Sequence, residues 1–383
     1  MMALTEEQKM MRDLAREFAQ NEIEPVAAEI DETSTFPLEN LKKMAELGLL
    51  GIPFEEEYGG SGMNIMAFAL AMEEFGVACG STALSVAAHV SLCSTPIYMF
   101  GSEAQKKKYL PDLLNGNKIG SFCLSEPASG SDAGALTTRA QRDGDGYVIN
   151  GSKQWVTNGG YASTFVVFAK TNPDAGTKGI SAFIVDKDMP GVVIGKKEDK
   201  MGLRASDTRQ ITFENVRVPA ENLLGEENKG FIYALKTLDG GRIGIGAMSV
   251  GLGRAALEHA ARYADERVAF GKKIGRFQAI QWYIADMATQ LEAARLLVYQ
   301  AAQLRDAGQP YSKEAAMAKL FASESAMKAA DKGIQILGGY GYSRDYPLER
   351  IFRDTKLMEI GEGTSEVQRI VISKLVMSEI NKG

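Results

Sequence analysis

The stretch GYVINGSKQWVTNGG, residues 146–160, sets a short run of β-branched and aromatic residues among glycines and asparagines. Such runs are typical of β-strands that end in turns. The same pattern recurs in TFVVFAK (164–170), ISAFIVDK (180–187) and RQITFENVRVP (209–219). These segments predict a small antiparallel β domain that begins near Gly120 and ends near Pro219.

Helical sequence flanks this β segment on both sides. The apolar run at 65–100 predicts helices that are buried rather than superficial. Helical periodicity returns from Gly230 onward. Because no alternating βαβ units occur, the sequence excludes a doubly wound nucleotide-binding fold. Two pairs of residues have the capping-box spacing that predicts a helix start: Thr5 with Gln8, and Ser102 with Gln105.

The composition is that of an ordinary globular protein, with 383 residues of which 45% are apolar and 24% charged. The net charge of −6, without any basic run, argues against a nucleic-acid partner. The N-terminus resembles neither a signal nor a transit peptide. By inspection, no window approaches the ~20 consecutive apolar residues that a membrane span needs. We therefore expect a cytoplasmic protein that acts away from nucleic acid and membranes.

Cysteine and histidine are too few for the chemistry they often carry. Cys79, Cys93 and Cys123 are far apart and form no C-x-x-C pair, so we expect reduced core residues. The two histidines, His89 and His259, have no surrounding motif that would indicate a metal site or a catalytic triad. If the protein is an enzyme, carboxylates, a tyrosine or a lysine must handle its protons.

A carboxylate between two glycines precedes the last predicted helix, in MEIGEGTSEVQRIVISKL near the C-terminus. Glycine is unfavourable inside a helix, so Gly361 and Gly363 indicate a tight loop around Glu362. Ser365 and Gln368 have capping-box spacing and predict the helix start. Taken alone, Glu362 is best explained as a solvated turn residue that favours the helix dipole. The alternative is a carboxylate that acts in chemistry.

Two segments of the β region carry candidate ligand-binding groups. The loop in FCLSEPASGSDAGA (122–135) presents N–H and hydroxyl donors, which suit an anionic or carbonyl-rich ligand, although a routine turn explains the isolated fragment better. Trp155 and Thr157 point to one face if their segment is extended. They form either a stacking platform for an aromatic cofactor or a core tryptophan beside a strand threonine.

A glycine pair lies inside helical sequence in LDGGRIGI. Gly240 and Gly241 weaken a helix unless something must approach its backbone closely. The flanking Asp239 and Arg242 include a guanidinium that is available for a phosphate or a carboxylate. Glycines also break the helical pattern in ERVAFGKKIGRFQAIQ (266–281) and QILGGYGYSRDYPLER (335–350).

In this order and spacing, the segments resemble the acyl-CoA dehydrogenases over essentially the whole chain. The matching stretches are LSEPASGSDAGA (124–135), QWVTNGG (154–160), MGLRASDTRQITFENVRVP (201–219), LDGGRIGI (238–245), RVAFGKKIGRFQAIQ (267–281), QILGGYGY (335–342) and EGTSEVQR (362–369). AAHVSLCSTPI (87–97) and GKKEDKMG (195–202) are similar to the butyryl-CoA dehydrogenase branch.

The resemblance implies a mainly α fold with a central β domain: an N-terminal helical domain (1–118), a β-barrel-like domain (119–226) and a C-terminal four-helix bundle (227–383). FAD would lie between the β domain and the bundle. Its contacts in the same subunit would be Phe122, Leu124, Ser125, Ser131, Trp155, Thr157, Thr364 and Glu366. A neighbouring subunit's FAD would meet Arg267, Phe277, Gln278, Gln335, Gly338 and Gly339. The CoA thioester would meet Ser131, Asp239, Arg242 and Gly363, and no metal is implied.

The resemblance also implies a reaction. Glu362 would take the α-proton of an acyl-CoA thioester while the flavin accepts the β-hydride, and electrons would pass to electron-transferring flavoprotein. One branch of the family carries its base just before the arginine of LDGGR, but Gly241 leaves that position vacant. Many members place a tyrosine before the catalytic glutamate, where this chain has Gly361. A larger pocket is therefore expected, in which a branched, alicyclic or aryl-bearing acyl group competes with a plain short-chain butyryl group, as does a dicarboxylic one if a basic residue faces the cavity.

Other functions on the same fold remain open from sequence. An enoyl-CoA reductase would run the reaction backwards, and an acyl-CoA oxidase would pass electrons to oxygen. A scaffold without catalysis is disfavoured because Glu362, Trp155, Thr157 and Arg242 are all present. The family resemblance further implies a homotetramer that shares cofactor contacts between subunits.

Overall fold

The computed structural model describes residues 4–381, in which helices at both ends of the chain enclose a central β-sheet. The N-terminal helices are α1 (Glu6–Phe18), α2 (Ala27–Glu32), α3 (Leu38–Glu46), α4 (Ile65–Ala78), α5 (Gly80–Ala87), α6 (Thr95–Phe100) and α7 (Glu103–Leu114). Both predicted capping boxes form, at Thr5 before α1 and at Ser102 before α7. α4 is buried on nearly all sides, as its composition predicts.

One continuous helical stretch, Gly80–Phe100, contains α5, a π-helical segment (Ala88–Ser94) and α6. By length and composition this stretch could cross a membrane, so the expectation that no window comes close was wrong. Its serines, threonines and histidine interrupt the apolar run, but the mean hydropathy of the stretch remains high enough for a membrane span. In the fold, 83% of its most apolar window is buried inside the protein, as in the core helix of many folded domains.

The central sheet has eight strands. They are β1 (Ile119–Cys123), β2 (Arg139–Asp143), β3 (Gly146–Thr157), β4 (Ala162–Lys170), β5 (Ile180–Asp186), β6 (Val192–Lys197), β7 (Thr208–Pro219) and β8 (Leu223–Leu224). The order is β6-β7-β3-β2-β4-β5-β8, with β1 beside β4. Most pairs are antiparallel, as predicted, but β1 runs parallel to β4, and β2 meets β4 in parallel at Arg139.

The C-terminal region consists mainly of long helices. They are α8 (Gly230–Glu266), α9 (Gln278–Asp306), α10 (Ser312–Leu337), α11 (Leu348–Lys356) and α12 (Ser365–Ile380), with a small ribbon of β9 (Val268–Ala269) and β10 (Lys272–Lys273) between α8 and α9. α8 packs against α4, α9 and α10 and is the central helix of the fold. It runs without interruption through Gly240 and Gly241, so close packing rather than a helix break explains the pair.

A buried charge cluster joins the N-terminal helices to the C-terminal bundle. Glu73 and Glu74 on α4 are adjacent and buried. Arg254 on α8 contacts both carboxylates, Arg295 on α9 contacts Glu73 at 3.1 Å, and Arg16 on α1 contacts Glu74 at 2.9 Å. The arginines neutralise two like charges that could not be buried together alone. Four helices are therefore held in one arrangement, which fixes the position of α8 beneath the candidate site.

Candidate active site

Glu362 lies in the loop between α11 and α12, on a strained backbone. Its φ is +52°, in the left-handed region that non-glycine residues rarely adopt, and Gly363 follows at +91°. Thr364 accepts a hydrogen bond from the Val367 N–H and caps α12. The predicted capping box of Ser365 and Gln368 was therefore wrong by one residue, because the Gln368 side chain turns back to the loop carbonyls instead.

The Glu362 carboxyl group is enclosed although part of the residue reaches the surface. Its Oε2 atom has no exposed area and no hydrogen-bond partner within residues 4–381. Burial raises the pKa of Glu362 to about 7, and the positive charges of Lys319 and Arg242 oppose that rise. A solvated turn residue would show none of these features. The structure therefore rules out the simpler explanation of this carboxylate.

Gly241 on α8 faces the Glu362 carboxyl group directly. A Cβ atom at Gly241 would lie 2.4 Å from Glu362 Oε2 and 3.1 Å from Leu92 Cδ2. Such a separation is shorter than any stable contact, so a side chain here would displace the carboxyl group. Gly241 is the position at which one branch of the family carries its base. Because it has no side chain, it leaves room for the carboxyl group of Glu362.

Asp239 and Arg242 lie beside this point on the same helix. Arg242 is almost fully buried and forms an ion pair with Asp239, which also accepts a hydrogen bond from Ser312 Oγ at 2.6 Å. Arg242 Nε has no partner within the described part of the chain. A buried guanidinium with a free donor can bind an oxygen of a ligand.

Lys319 on α10 completes the site, and sequence reasoning missed it. It is fully buried, and its Nζ donates to the Gly363 carbonyl oxygen at 2.8 Å. Burial lowers its pKa to about 8, against the opposing effect of Glu362. In the sequence it is one of several lysines on an amphipathic helix, and only the packing of α8, α10 and α12 distinguishes it.

The loop of residues 124–131 and the end of β3 lie side by side. Glu126 anchors the loop: it accepts hydrogen bonds from the Thr137 and Thr138 amides and forms a buried salt bridge of 2.8 Å with Lys153. The Gln154 N–H donates to the Ser125 carbonyl oxygen at 2.8 Å. Of the predicted cofactor contacts in this loop and in β1, Leu124 is buried, Phe122 and Ser125 are partly buried, and Ser131 is exposed.

Trp155 departs from the regular strand that the sequence predicts. Its φ is +60°, because β3 loses register with β7 between Lys153 and Val156. The condition under which Trp155 and Thr157 would share a face, a regularly extended segment, is therefore not met, and the alternative of a core tryptophan is wrong. The bulge leaves 61% of the Trp155 side chain exposed, while Thr157 is only partly buried. An aromatic surface is thus open beside the anchored loop.

Thr364 and Glu366 lie at the start of α12, next to Glu362. The remaining predicted residues form a separate group at the far end of the bundle. Arg267, Gly338 and Gly339 line one open groove of about 550 Å³. Phe277, Gln278 and Gln335 do not line that groove. Phe277 and Gln278 are at the start of α9, and Gln335 is near the end of α10.

Comparison with known proteins assigns the family. Domain models described as acyl-CoA dehydrogenase N-terminal, middle and C-terminal domain match residues 5–117, 121–216 and 228–377. The chain belongs to the acyl-CoA dehydrogenase family. The predictions of family, fold class and enzyme class are confirmed, and the relatives it resembles include short-chain acyl-CoA dehydrogenases.

Individual relatives match this acyl-CoA dehydrogenase over nearly its full length. A short-chain specific acyl-CoA dehydrogenase of Clostridium acetobutylicum is 53% identical, covering 97% of this chain and 98% of the relative. The acryloyl-CoA reductase (NADH) of Anaerotignum propionicum is 51% identical, covering 98% and 95%.

Three solved structures share the fold. Butyryl-CoA dehydrogenase from Megasphaera elsdenii has a TM-score of 0.97 and 45% identity, covering 98% of this chain and 100% of that one. A chain from the study of the electron transferring flavoprotein of Acidaminococcus fermentans has a TM-score of 0.97 and 49% identity, covering 98% and 99%. An acyl-CoA dehydrogenase from Bacillus anthracis, complexed with FAD, has a TM-score of 0.93 and 38% identity, covering 99% and 68%. The prediction of FAD as cofactor agrees with that complex.

Proposed function

We propose that this acyl-CoA dehydrogenase oxidises an acyl-CoA thioester to the 2-enoyl-CoA, and that Glu362 removes the α-proton. The observation that carries the proposal is the enclosed Glu362 carboxylate, which has a free oxygen and faces a helix position without a side chain. A thioester α-proton is weakly acidic, so a base must be poised at that carbon. A pKa near 7 suits a base that works at neutral pH.

The same loop offers a donor to the substrate. The Glu362 N–H makes no hydrogen bond to another described residue. It is therefore available to the thioester carbonyl oxygen, where negative charge develops as the α-proton leaves. Asp239 and Arg242 would bind the CoA portion of the substrate. Ser131, on the β-domain loop, and Gly363, beside the base, would also contact the CoA thioester. The proton ends on the Glu362 carboxyl group.

FAD is the cofactor that fits the residues present. Trp155 presents an exposed indole beside the Ser125 loop, as a stacking surface for a flat ring requires. Phe122, Leu124 and Thr157 would surround the ring, while Thr364 and Glu366 would hold its polar part at the start of α12. When bound, the flavin accepts the hydride that leaves the β-carbon.

We propose a homotetramer in which the groove at Arg267 serves the FAD of a neighbouring subunit. Arg242 and Arg267 are separated along α8 by roughly 37 Å at ~1.5 Å per residue. The two ends of this helix therefore belong to different sites. Gly338 and Gly339 would meet that FAD within the groove, and Phe277, Gln278 and Gln335 would meet it from outside the groove, at the start of α9 and near the end of α10. Large apolar side chains nearby are open to solvent, with Phe270 94% exposed and Trp282 63% exposed, as an uncovered subunit interface would be.

For the electron acceptor we propose an electron-transferring flavoprotein, supported by the similarity to the A. fermentans chain. The acyl group is proposed to be short, or branched or ring-bearing, because Gly361 leaves space before the base. A reductase running the reverse reaction is the second candidate, favoured by the 51% identity to an acryloyl-CoA reductase. The Glu362 carboxyl group and the flavin would serve both oxidation of the acyl-CoA and reduction of the enoyl-CoA.

The decisive variant is Glu362→Gln, which keeps the shape of the side chain and removes the base. We expect FAD and acyl-CoA binding to persist while anaerobic flavin reduction falls by several orders of magnitude. Glu39→Gln is the control, since Glu39 is exposed and paired with Lys42 on α3, and it should leave the rate unchanged. Substantial reduction by Glu362→Gln would place the base elsewhere.

A further inference from the structure

Two buried side chains hold the carbonyl group that follows Glu362. Lys319 Nζ and Gln368 Nε2 each donate to the Gly363 carbonyl oxygen at 2.8 Å. Gln368 Nε2 also reaches the Glu362 carbonyl oxygen at 3.3 Å. Both side chains are fully buried. The loop is thus fixed from α10 on one side and from α12 on the other.

The loop needs such anchors because of its backbone. Glu362 is left-handed at φ +52°, and a non-glycine residue stays in that region only where its surroundings hold it. The conformation turns the carboxyl group towards α8, into the space that Gly241 leaves open. If the Gly363 carbonyl were released, the carboxylate could leave this position.

A hydrogen bond alone does not explain why one anchor is a lysine. Gln368 already supplies a neutral donor, whereas burying an ammonium group is costly unless a negative charge faces it. That charge is the enclosed Glu362 carboxylate, whose neighbours are Arg242 on α8, itself paired with Asp239, and the apolar Leu92. Besides Glu362, the positive charge of Arg242 lowers the pKa of Lys319, and Glu359 and Glu366 raise it more weakly from the two ends of the loop.

We propose that Lys319 is a positioning residue of the proton transfer. Through the Gly363 carbonyl it holds Glu362 over α8, and through its charge it keeps the enclosed carboxylate ionised; Gln368 is a second anchor without charge. This proposal rests on Glu362 being the base. Burial raises the pKa of Glu362, and the charge of Lys319 is the first that opposes the rise.

The test is the pH dependence of anaerobic flavin reduction by a saturating acyl-CoA in holoenzyme variants. The rate should rise with pH as Glu362 ionises. Lys319→Met removes a positive charge and so raises the Glu362 pKa; we expect the midpoint to move up by about one pH unit or more. The maximal rate should fall at least about tenfold as the loop loosens.

Two further variants separate charge from anchoring. Gln368→Leu should slow reduction without moving the midpoint, and Lys319→Arg should keep the midpoint of the unmodified enzyme. If Lys319→Met does not fold, Lys319→Gln retains a donor and should still shift the midpoint upwards. A neutral variant at position 319 with an unchanged midpoint overturns the inference. An active Glu362→Gln instead overturns the proposed base, so the two failures are distinguishable.

Discussion

At the residue scale, Gly361 is the position at which we propose extra space in front of the base. Its backbone is outside the left-handed region, unlike that of Glu362 and Gly363. A Cβ atom at Gly361 would lie 3.5 Å from the Leu357 carbonyl oxygen and 3.7 Å from Leu357 Cγ, which are ordinary contacts. The loop can therefore accept a side chain here without strain. Backbone freedom therefore does not require a glycine at this position.

Gly361→Tyr should narrow the range of substrates. A tyrosine buries about 150–250 Å², so it should fill the space available to a bulky acyl group. We expect the activation free energy of flavin reduction by a ring-bearing acyl-CoA to rise by more than the ~1–3 kcal/mol typical of overpacking. The rate of reduction by butyryl-CoA should change little. Flavin reduction by both thioesters in the unmodified enzyme, Gly361→Ala and Gly361→Tyr measures this. Equal losses for both substrates, or an initial preference for butyryl-CoA, would contradict the enlarged pocket.

At the element scale, the position of α8 depends on its charged contacts with α4. Three arginines supply the positive charge around Glu73 and Glu74. Of these, Arg254 contacts both carboxylates. Removing one partner of a buried ion pair leaves an uncompensated charge, which costs more than the pair contributed. Arg254 therefore has a structural role although it lies on the same helix as Asp239 and Arg242, the proposed substrate contacts.

Arg254→Met should lower the free energy of unfolding by about 3–5 kcal/mol, because Glu73 and Glu74 would then share too little positive charge. The measurement is urea unfolding at fixed protein concentration with excess FAD. Arg262→Met on the same helix is the control, since Arg262 is exposed and its ion pair within residues 4–381 is with Glu258, and its effect should be under about 1 kcal/mol. Equal effects of the two substitutions would show that the cluster is not stabilising.

The elements that sequence predicted well are those defined by local pattern. Helix and strand periodicities and the caps at Thr5 and Ser102 depend on residues a few positions apart, and the structure confirms them. The errors arise where distant segments decide the outcome. The bulge at Trp155 depends on pairing with β7, and the role of Gln368 depends on carbonyls of the preceding loop. The burial of Lys319 depends on three helices and has no signal in the sequence.

At the scale of the whole molecule, cofactor binding and assembly are expected to depend on each other. Arg267 follows the last residue of α8, beside Tyr340, and lines the groove proposed for a neighbour's FAD. The exposed apolar side chains of Phe270 and Trp282 follow it in the chain. A single surface would then contain both the cofactor groove and the subunit contact.

Arg267→Ala should therefore lose flavin and subunit association together, since the bound FAD would be part of the interface. Gel filtration with absorbance at flavin and protein wavelengths reports both quantities in one experiment. Arg217→Ala, at an exposed arginine of the central sheet, is the control and should remain fully assembled and yellow. A monomeric Arg267→Ala variant with a full complement of FAD would refute the shared groove.

The continuity of α8 limits how this chain can change its length. Inserting one residue between Arg242 and Arg267 would rotate one arginine relative to the other by about 100° and move it by about 1.5 Å along the axis. Either Arg242 would then lose its alignment with Glu362, or Arg267 would lose its place in the groove. Insertions and deletions should therefore be tolerated in the surface turns but not within this helix, and library designs that alter acyl-group preference should vary side chains there while keeping the residue count constant.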